Sequence, residues 1–175
     1  MTVAEAQAEM REVFRSGSVG QLVSAAIWLS SAALGTWGTA RSAILALIFG
    51  GMLIFPLTQL VLRLSGRRSA LSSGNPLGPL AMQVAFLVPS TLVVAGGAAL
   101  HNLNWFYPAC AVVVGAHYLP FVFLYGMWQY AALSAVLQSG GIVCGLFLPH
   151  DFAPAGWFTA AVLALFAGWA ATRRA

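Results

Sequence analysis

Charged side chains are scarce in this sequence, and lysine is absent altogether. Charged residues make up 7% of its 175 residues, whereas a soluble globular domain has about 25%. The three glutamates all lie within the first 12 positions, and the single aspartate is Asp151. This composition excludes a soluble domain, and it leaves the long middle of the chain without a carboxylate pair for general acid–base catalysis.

Motifs of common catalytic and cofactor sites are also missing. The chain has no phosphate-binding glycine loop, no CxxC pair, no nucleophile elbow and no HExxH motif. Its only cysteines, Cys110 and Cys144, fall inside apolar stretches, so we expect free thiols rather than a disulfide. His101 lies in a different connection from His150 and Asp151, without the tight spacing of a zinc site. We therefore expect neither a cofactor nor a bound metal.

Long apolar runs take up most of the chain instead. Hydrophobic residues make up 60% of the sequence, and its mean hydropathy is +0.85. A bilayer core of about 30 Å requires about 20 apolar residues from each helix that crosses it. Six stretches meet this requirement: residues 18–37, 42–64, 77–100, 105–126, 127–148 and 154–172.

The connections between these stretches are short, except for residues 65–76. Short connections make consecutive helices antiparallel neighbours. The sequence therefore predicts an all-α membrane protein in which six transmembrane helices form three antiparallel hairpins. The division near Gly126 is the least marked, since residues 105–148 are nearly continuous and only their length separates two spans.

The N-terminal segment differs from the rest of the chain because it mixes charged and apolar residues. Val3, Ala6, Met10 and Val13 recur at helical spacing, and glutamates and arginines flank this stripe. The pattern predicts a short amphipathic helix on the membrane surface or against the bundle. The alternative is a frayed, solvated tail. We accordingly divide the chain into a cytoplasmic or interfacial segment, residues 1–17, and a transmembrane domain, residues 18–175.

The arginines predict the orientation of the chain. Six spans place both termini on the same side as the second and fourth connections. That side carries seven arginines, and the other side carries Arg41 alone. The seven are Arg11, Arg15, Arg63, Arg67, Arg68, Arg173 and Arg174. By the positive-inside rule both termini are cytoplasmic, so the isoelectric point of 9.7 reflects topology and not nucleic-acid binding.

Aromatic residues near the ends of the spans agree with this topology. Trp and Tyr are enriched where a span meets the headgroups. The residues assigned to the outer interface are Trp37, Trp105, Phe106, Tyr107 and Trp157, and those assigned to the inner one are Tyr125, Trp128, Tyr130 and Trp169. Abundant alanine and glycine without lysine are typical of GC-rich coding, so we expect a multi-pass protein of a bacterial inner membrane, with the lipid bilayer as its main partner.

His117 is the sharpest candidate for a functional residue. It lies near the middle of the fourth stretch, where an ionisable side chain is costly and is by default a functional-site hypothesis. Pro120 cannot donate a hydrogen bond to the carbonyl of Ala116, so a kink is expected beside the imidazole and its neighbour Tyr118. A neutral imidazole can bind a ligand or relay a proton. The alternative is a structural histidine that bonds to a neighbouring helix.

Amide side chains supply the rest of the predicted site. Gln138 lies near the midplane of the fifth stretch, the hairpin partner of the fourth, so we expect it to meet His117. Other glutamines lie toward the cytoplasmic side, where amides cross-link helices at roughly 0.6–2 kcal/mol each or line a vestibule. The predicted ligand-binding residues are His117, Gln138, Tyr118, Gln59, Gln83 and Gln129.

Three short motifs carry a resemblance to known proteins. They are Asn75-Pro76-Leu77, Phe106-Tyr107-Pro108 and Gly115-Ala116-His117-Tyr118-Leu119-Pro120-Phe121. With them the chain resembles, over roughly residues 18–170, a family of small bacterial six-helix integral membrane proteins described only as a domain of unknown function. The resemblance implies an integral membrane protein of bacterial origin, and it supplies no catalytic residue.

Three classes of function remain open. We favour a protein that binds or translocates a small neutral or weakly polar molecule through a polar pocket around His117, since uncharged spans disfavour charged substrates. The second class is a non-catalytic structural or accessory subunit. The third is a membrane-embedded enzyme acting on a lipid-like substrate, which lacks an evident nucleophile. Six helices are few for a solitary transporter, so a homodimer is also considered.

Overall fold

The computed structural model describes residues 1–66 and 68–172, and within them it contains helices and no strand. The helices are α1 Val3–Phe14, α2 Ser18–Trp37, α3 Ala40–Leu64, α4 Leu77–Ala85, α5 Leu87–His101, α6 Phe106–His117, α7 Leu119–Tyr125, α8 Gln129–Phe147 and α9 Pro154–Thr172. Two short 3-10 turns, Arg15–Gly17 and Leu103–Trp105, precede α2 and α6.

Six long apolar spans within the described residues confirm the predicted fold class. All six are long and apolar enough to cross a membrane. α2 and α9 begin and end at the predicted residues, whereas the third span is divided into α4 and α5 and the fourth into α6 and α7. Consecutive spans pack against each other as three hairpins: α2 with α3, α5 with α6, and α8 with α9.

Four spans form an inner bundle, and two lie outside it. α2 packs against α9, α9 against α8, and α8 against α6, and a hydrogen bond between Ser31 of α2 and Tyr107 of α6 closes the ring. α3 packs chiefly against α2, while α5 and α4 pack against α6 and α7. In each of the two outer spans, 11% of the most apolar 18-residue stretch is buried inside the protein, whereas 33–39% of the corresponding stretch is buried in each of the other four. Most of the surface of the outer spans is therefore available to lipid.

Glycine permits the close approach of α6 and α8. A Cβ atom on Gly141 would lie 2.9 Å from the carbonyl oxygen of Pro108, and one on Gly115 would lie 2.7 Å from Cγ of Gln138. Small residues let membrane helices pack backbone to backbone in this way. Because His117 ends α6, the tight α6–α8 contact also fixes the position of the imidazole.

One end of the bundle carries the N-terminal helix. α1 contacts α2 and α7, and Glu9 of α1 hydrogen-bonds to Ser72 in the connection of residues 65–76. This end, where α2 begins, is termed the near side, and the opposite end is the far side. Arg67, Arg173 and Arg174, which the orientation argument uses, lie outside the described residues.

α1 is the predicted amphipathic helix. The hydroxyl of Thr2 accepts a hydrogen bond from the Glu5 backbone at 3.3 Å, and the Glu5 carboxylate accepts one from the Thr2 backbone at 2.6 Å. This capping box satisfies two backbone donors and starts the helix. Ala6, Met10 and Val13 on its apolar face are at most 4% exposed, so α1 packs on the bundle and is not a frayed tail.

Buried polar groups in the far half are satisfied. The Tyr107 hydroxyl lies 2.6 Å from Oγ of Ser31, which itself donates to the Ala43 carbonyl at 2.7 Å. Since the one proton of Ser31 is used in that bond, Tyr107 donates to Ser31. The Tyr107 ring also packs against Phe152 and Trp28, with centroids 4.9 and 5.9 Å apart. These contacts join α2, α3, α6 and the connection before α9.

Four aromatic residues that were assigned to the membrane interfaces are buried. Phe106, Tyr107, Tyr125 and Tyr130 are at most 6% exposed, so these rings pack inside the bundle and do not face the surrounding headgroups. The hydroxyls of Tyr107 and Tyr130 find hydrogen-bond partners inside the bundle and do not need the headgroup region. Trp37 and Trp128 are 76% and 69% exposed and lie at opposite ends of the bundle.

Candidate functional site

The third and fourth spans are interrupted at Phe86 and Tyr118. At each position a backbone hydrogen bond of 3.1 Å spans three residues instead of four, from Phe86 to Gln83 and from Tyr118 to Gly115. α5 packs against α6 and α4 packs against α7. The two interruptions therefore lie beside each other, with the half-helices α4 and α7 on the near side.

Prolines account for both interruptions. Pro89 has no N–H to donate to the Ala85 carbonyl, and Pro120 has none for Ala116, so each helix loses a bond at the break. Such losses are tolerated in membrane helices where neighbouring groups satisfy the freed backbone. In contrast, α3 runs through Pro56 without a break, so a proline within a span does not by itself divide the helix.

His117 lies at the break of the fourth span. Its ring is within hydrogen-bonding reach of the backbone of Val84 in α4, and the rings of Tyr118 and Phe121 have centroids 5.6 and 5.0 Å away. The other side of the imidazole is unsatisfied, because Nδ1 is buried and no described residue hydrogen-bonds to it. A buried polar atom without a partner costs about 1–3 kcal/mol, which a small molecule bound at Nδ1 would recover.

A second unpaired atom lies nearer the near side. The Tyr130 hydroxyl donates to the Ser16 carbonyl at 2.8 Å and accepts from Nε2 of Gln21 at 3.1 Å. Gln21 is 2% exposed, and its Oε1 has no hydrogen-bond partner among the described residues. The bond to Tyr130 uses the amide nitrogen, so the amide oxygen of Gln21 is left as a free acceptor.

Tyrosines connect these two unpaired atoms. Ser24 lies one helical turn beyond Gln21 and bonds to the hydroxyl of Tyr118. The Tyr118 ring stacks on Tyr130 with centroids 6.1 Å apart, and Tyr125 stacks on Tyr130 at 5.3 Å. Gln21, Ser24, Tyr118, Tyr125 and Tyr130 are termed the near cluster. It reaches from the start of α2 to the residue that follows His117.

The predicted pair of His117 and Gln138 is not hydrogen-bonded. Nε2 of Gln138 donates to the Ser134 hydroxyl at 2.8 Å, and its Cγ lies against Gly115 in the α6–α8 contact. His117 instead faces Val84 of the third span. The two side chains therefore have separate partners in this conformation.

The other predicted glutamines lie on the surface of the bundle. Gln83 is exposed beside Val84 on α4, while Gln59 of α3 and Gln129 of α8 are partly exposed. Within the part of the chain that the structure describes, none of the three side chains has a hydrogen bond. They are free to contact lipid headgroups, water or a ligand, and they do not cross-link helices.

Sequence reasoning missed Ser24 and assigned Tyr125 to the interface. The spacing of Tyr118 and Tyr125 contained a usable signal, because residues seven apart share one face of a helix. No comparable signal marks Ser24, whose role depends on how α2 packs against α6.

Two clefts lie away from His117. One of about 360 Å³ opens on the far side beside Thr36, Asp151 and Trp157, and one of about 410 Å³ lies between α2 and α3. Neither is lined by His117, which agrees with the burial of Nδ1. Within residues 1–66 and 68–172, no three His, Cys, Asp or Glu side chains gather where they would hold a metal ion.

Comparison with known proteins identifies a family but no activity. Neither the curated proteins nor the solved structures include a match to this chain. A family model described as "Family of unknown function (DUF7010)" matches residues 3–173, nearly the whole sequence. The chain therefore belongs to this family of unknown function, as a protein with six candidate membrane spans.

Proposed function

We propose that this protein binds or translocates a small neutral or weakly polar molecule at the break beside His117. The observation that carries the proposal is the unpaired, buried Nδ1 of His117 at two adjacent helix breaks. Membrane transporters commonly place their binding sites near the midplane, at discontinuous helices whose free backbone groups contact the substrate. His117 and Tyr118 would make the first contacts.

The distribution of charge favours a neutral ligand. The glutamates lie in α1, and Asp151 lies beyond the far ends of the spans. A charged substrate at the midplane would need an opposite charge beside it, and the spans offer none there. Ligand selection would then rest on hydrogen bonds, with His117 Nδ1 and Gln21 Oε1 as the unsatisfied groups.

The glutamines extend the proposed site toward the near side. Gln59, Gln83 and Gln129 have no hydrogen-bond partner in the described residues, so their amides are available to a passing polar molecule. Gln138 would join the site by exchanging its bond to Ser134 for one to a ligand. The proposed ligand-binding set is therefore the one expected from the sequence.

Two other functions have less support. An enzyme would need a nucleophile or a carboxylate beside the imidazole, whereas the contacts of the His117 ring in the described residues are with the Val84 backbone and the rings of Tyr118 and Phe121. An accessory subunit would use an exposed small-residue face, such as Gly96 and Gly97, where an added Cβ would meet nothing within 4 Å. That face would equally serve a homodimer.

The proposed setting is a bacterial inner membrane with the near side in the cytoplasm. The support is the distribution of the described arginines, of which Arg11, Arg15, Arg63 and Arg68 lie on the near side and Arg41 lies on the far side. Both termini would then be cytoplasmic, and a ligand that enters from the cell would reach the near cluster before His117.

Native mass spectrometry of the gently solubilised protein tests the proposal. The wild type is expected to retain a small-molecule adduct that His117→Ala loses while remaining folded. His101→Ala is the matched control, because it removes an exposed histidine at the end of α5, and it should keep the adduct. Bare subunits in all three samples, or an adduct that survives His117→Ala, would contradict a binding site at the break.

A further inference from the structure

α1 contacts the near-side end of α7 through two polar side chains. Nε2 of Gln7 donates to the Phe123 carbonyl and Nη1 of Arg11 donates to the Tyr125 carbonyl, both at 2.6 Å. The last carbonyls of a helix have no donor within the helix, and a cation there also interacts favourably with the helix dipole. Gln7 and Arg11 are one turn apart, so they hold α7 from one face of α1.

A different side of α1 holds the connection that leads into α4. The Glu9 carboxylate accepts hydrogen bonds from the backbone and hydroxyl of Ser72 at 2.7 and 2.8 Å and from Nδ2 of Asn75 at 2.8 Å. Arg68 forms an ion pair with the same carboxylate at 3.0 Å. Four contacts therefore converge on one side chain of α1.

Asn75 transmits this attachment to α4 itself. Its Nδ2 also donates to the Ala6 carbonyl at 3.2 Å, and its Oδ1 accepts from the backbone of Leu77, the first residue of α4, at 2.9 Å. Asn75 is 5% exposed, so these bonds are shielded from water. The start of α4 is thereby fixed to the middle of α1.

The two attachments hold the half-helices on either side of the candidate site. α4 contains Val84 and α7 follows His117 directly, so α4 and α7 are the near-side walls of the break. α1 holds α7 with Gln7 and Arg11 and holds the start of α4 through Glu9. Its buried face packs on the bundle between these contacts.

The turn between α1 and α2 has an unusual backbone. Arg15, Ser16 and Gly17 have φ values of 50°, 52° and 79°, and non-glycine residues rarely adopt this left-handed region. Tyr130 bonds to the Ser16 carbonyl, and a Cβ on Gly17 would collide with the Tyr130 hydroxyl. The turn is therefore held by the near cluster, and a rotation of α1 about it would also disturb Tyr130.

We propose that α1 is a clamp that joins the half-helices α4 and α7 and closes the near-side path to His117. Release of Glu9 from Ser72 and Asn75 frees α4, and release of Gln7 and Arg11 frees α7. This proposal concerns regulation of the binding site and rests on the proposed function. The structure has the clamp closed, in agreement with the burial of His117 Nδ1.

Thiol reactivity at Val84 tests the clamp in the full chain in lipid nanodiscs, where reagents reach both faces. Cys110 and Cys144 are first replaced by alanine, and Val84→Cys places the only thiol on a residue that is 4% exposed and whose backbone is within hydrogen-bonding reach of His117. The rate of modification by N-ethylmaleimide is followed by mass spectrometry. Phe121→Cys, on the α7 side of the break, serves as a second reporter should Val84→Cys fail to fold.

Two α1 variants with the same change of charge provide the comparison. Glu9→Ala removes the four contacts of the clamp, whereas Glu12→Ala removes an exposed carboxylate that forms no hydrogen bond or ion pair with another described residue. Because hydrogen bonds to a charged group are stronger than those between neutral groups, Glu9→Ala is expected to speed modification by about tenfold or more. Glu12→Ala should stay within about twofold of the parent, as exposed charges contribute little.

Hydrogen–deuterium exchange of α1 in the same samples shows whether the helix has been released. Faster exchange in α1 together with faster thiol modification supports the clamp. Faster exchange with an unchanged thiol rate overturns it, because α1 would then be an anchor that does not control access. Equal modification rates in the parent and both variants, or equal acceleration in both variants, also overturn it.

This experiment separates the clamp from the proposed function because it needs no ligand. Loss of the proposed function would appear as a missing or His117-independent adduct in native mass spectra, with the effect of Glu9→Ala on thiol modification intact. Failure of the clamp would leave the adduct dependent on His117, with the thiol rate insensitive to Glu9.

Discussion

The far and near halves of the bundle differ in whether their buried polar side chains have hydrogen-bond partners. In the far half the Tyr107 hydroxyl, Ser31 and the Ala43 carbonyl form a closed set of hydrogen bonds. In the near half and at the breaks, Gln21 Oε1 and His117 Nδ1 are the two buried side-chain atoms without partners in the described residues. Buried polar groups with hydrogen-bond partners stabilise a fold, whereas buried polar groups without partners cost stability and remain able to bind a ligand. We infer that the far half holds the bundle together and the near half recognises a ligand.

The largest loss of stability is expected from Gly141→Ala, which tests whether the far half depends on close helix packing. Gly141→Ala would place a Cβ 2.9 Å from the Pro108 carbonyl and 3.0 Å from the Ala111 side chain. Forcing an extra methyl group into a packed core costs about 1–3 kcal/mol, so unfolding in mixed detergent micelles should occur at a lower denaturant fraction.

Gly97→Ala is the matched control for that prediction. Nothing lies within 4 Å of a Cβ at this position, and alanine favours a helix over glycine by up to about 1 kcal/mol. This variant should be as stable as the wild type or more stable. Equal destabilisation by both substitutions would contradict the account of the α6–α8 contact.

A smaller loss of stability is expected from Tyr107→Phe. The change removes the donor to Ser31 and keeps the ring contacts with Phe152 and Trp28. Hydrogen bonds between membrane helices are worth about 0.6–1.7 kcal/mol, so the free energy of unfolding should fall by that amount. An unchanged unfolding curve would mean that the far half does not depend on this bond.

The smallest effect is expected at the break. His117→Leu removes the unpaired nitrogen of a partly buried ring together with its contact to the Val84 backbone, so relief of the unpaired group offsets loss of that contact. We expect the free energy of unfolding to change by less than about 0.5 kcal/mol, measured beside Tyr107→Phe. A loss larger than that of Tyr107→Phe would make His117 a structural residue and would erase the contrast between the halves.

The fold was predictable because the lengths of apolar runs and the positions of charge determine where spans begin and end. α2 and α9 match the predicted limits, and the kink expected at Pro120 lies where the fourth span is interrupted. Pro56 carries the same local signal, yet α3 continues through it. Local sequence therefore marks candidate breaks, and the packing of each helix decides which of them form.

The arrangement of the site was less predictable. Gly115 and His117 are two residues apart, so they point to nearly opposite faces of α6. Gly115 packs against Gln138, which turns His117 toward α4 and separates the expected pair. This rotation depends on the fit between helices and leaves no periodic signal in the sequence. The attachment of α1 through Glu9 and Asn75 likewise depends on contacts between residues more than 60 positions apart.

Water-edited ¹⁵N NMR of histidine-labelled protein in bilayers tests the central contrast most directly. His117→Leu identifies the His117 resonances among the three histidines. If the break is a site for a small polar molecule, magnetisation from mobile water should reach His117 Nδ1 in the wild type or, where α1 holds the site closed, in Glu9→Ala, because no described residue hydrogen-bonds to that nitrogen. Absence of any transfer from water in both the wild type and Glu9→Ala would show Nδ1 in a dry environment even with α1 released, and would contradict a binding role for the near half.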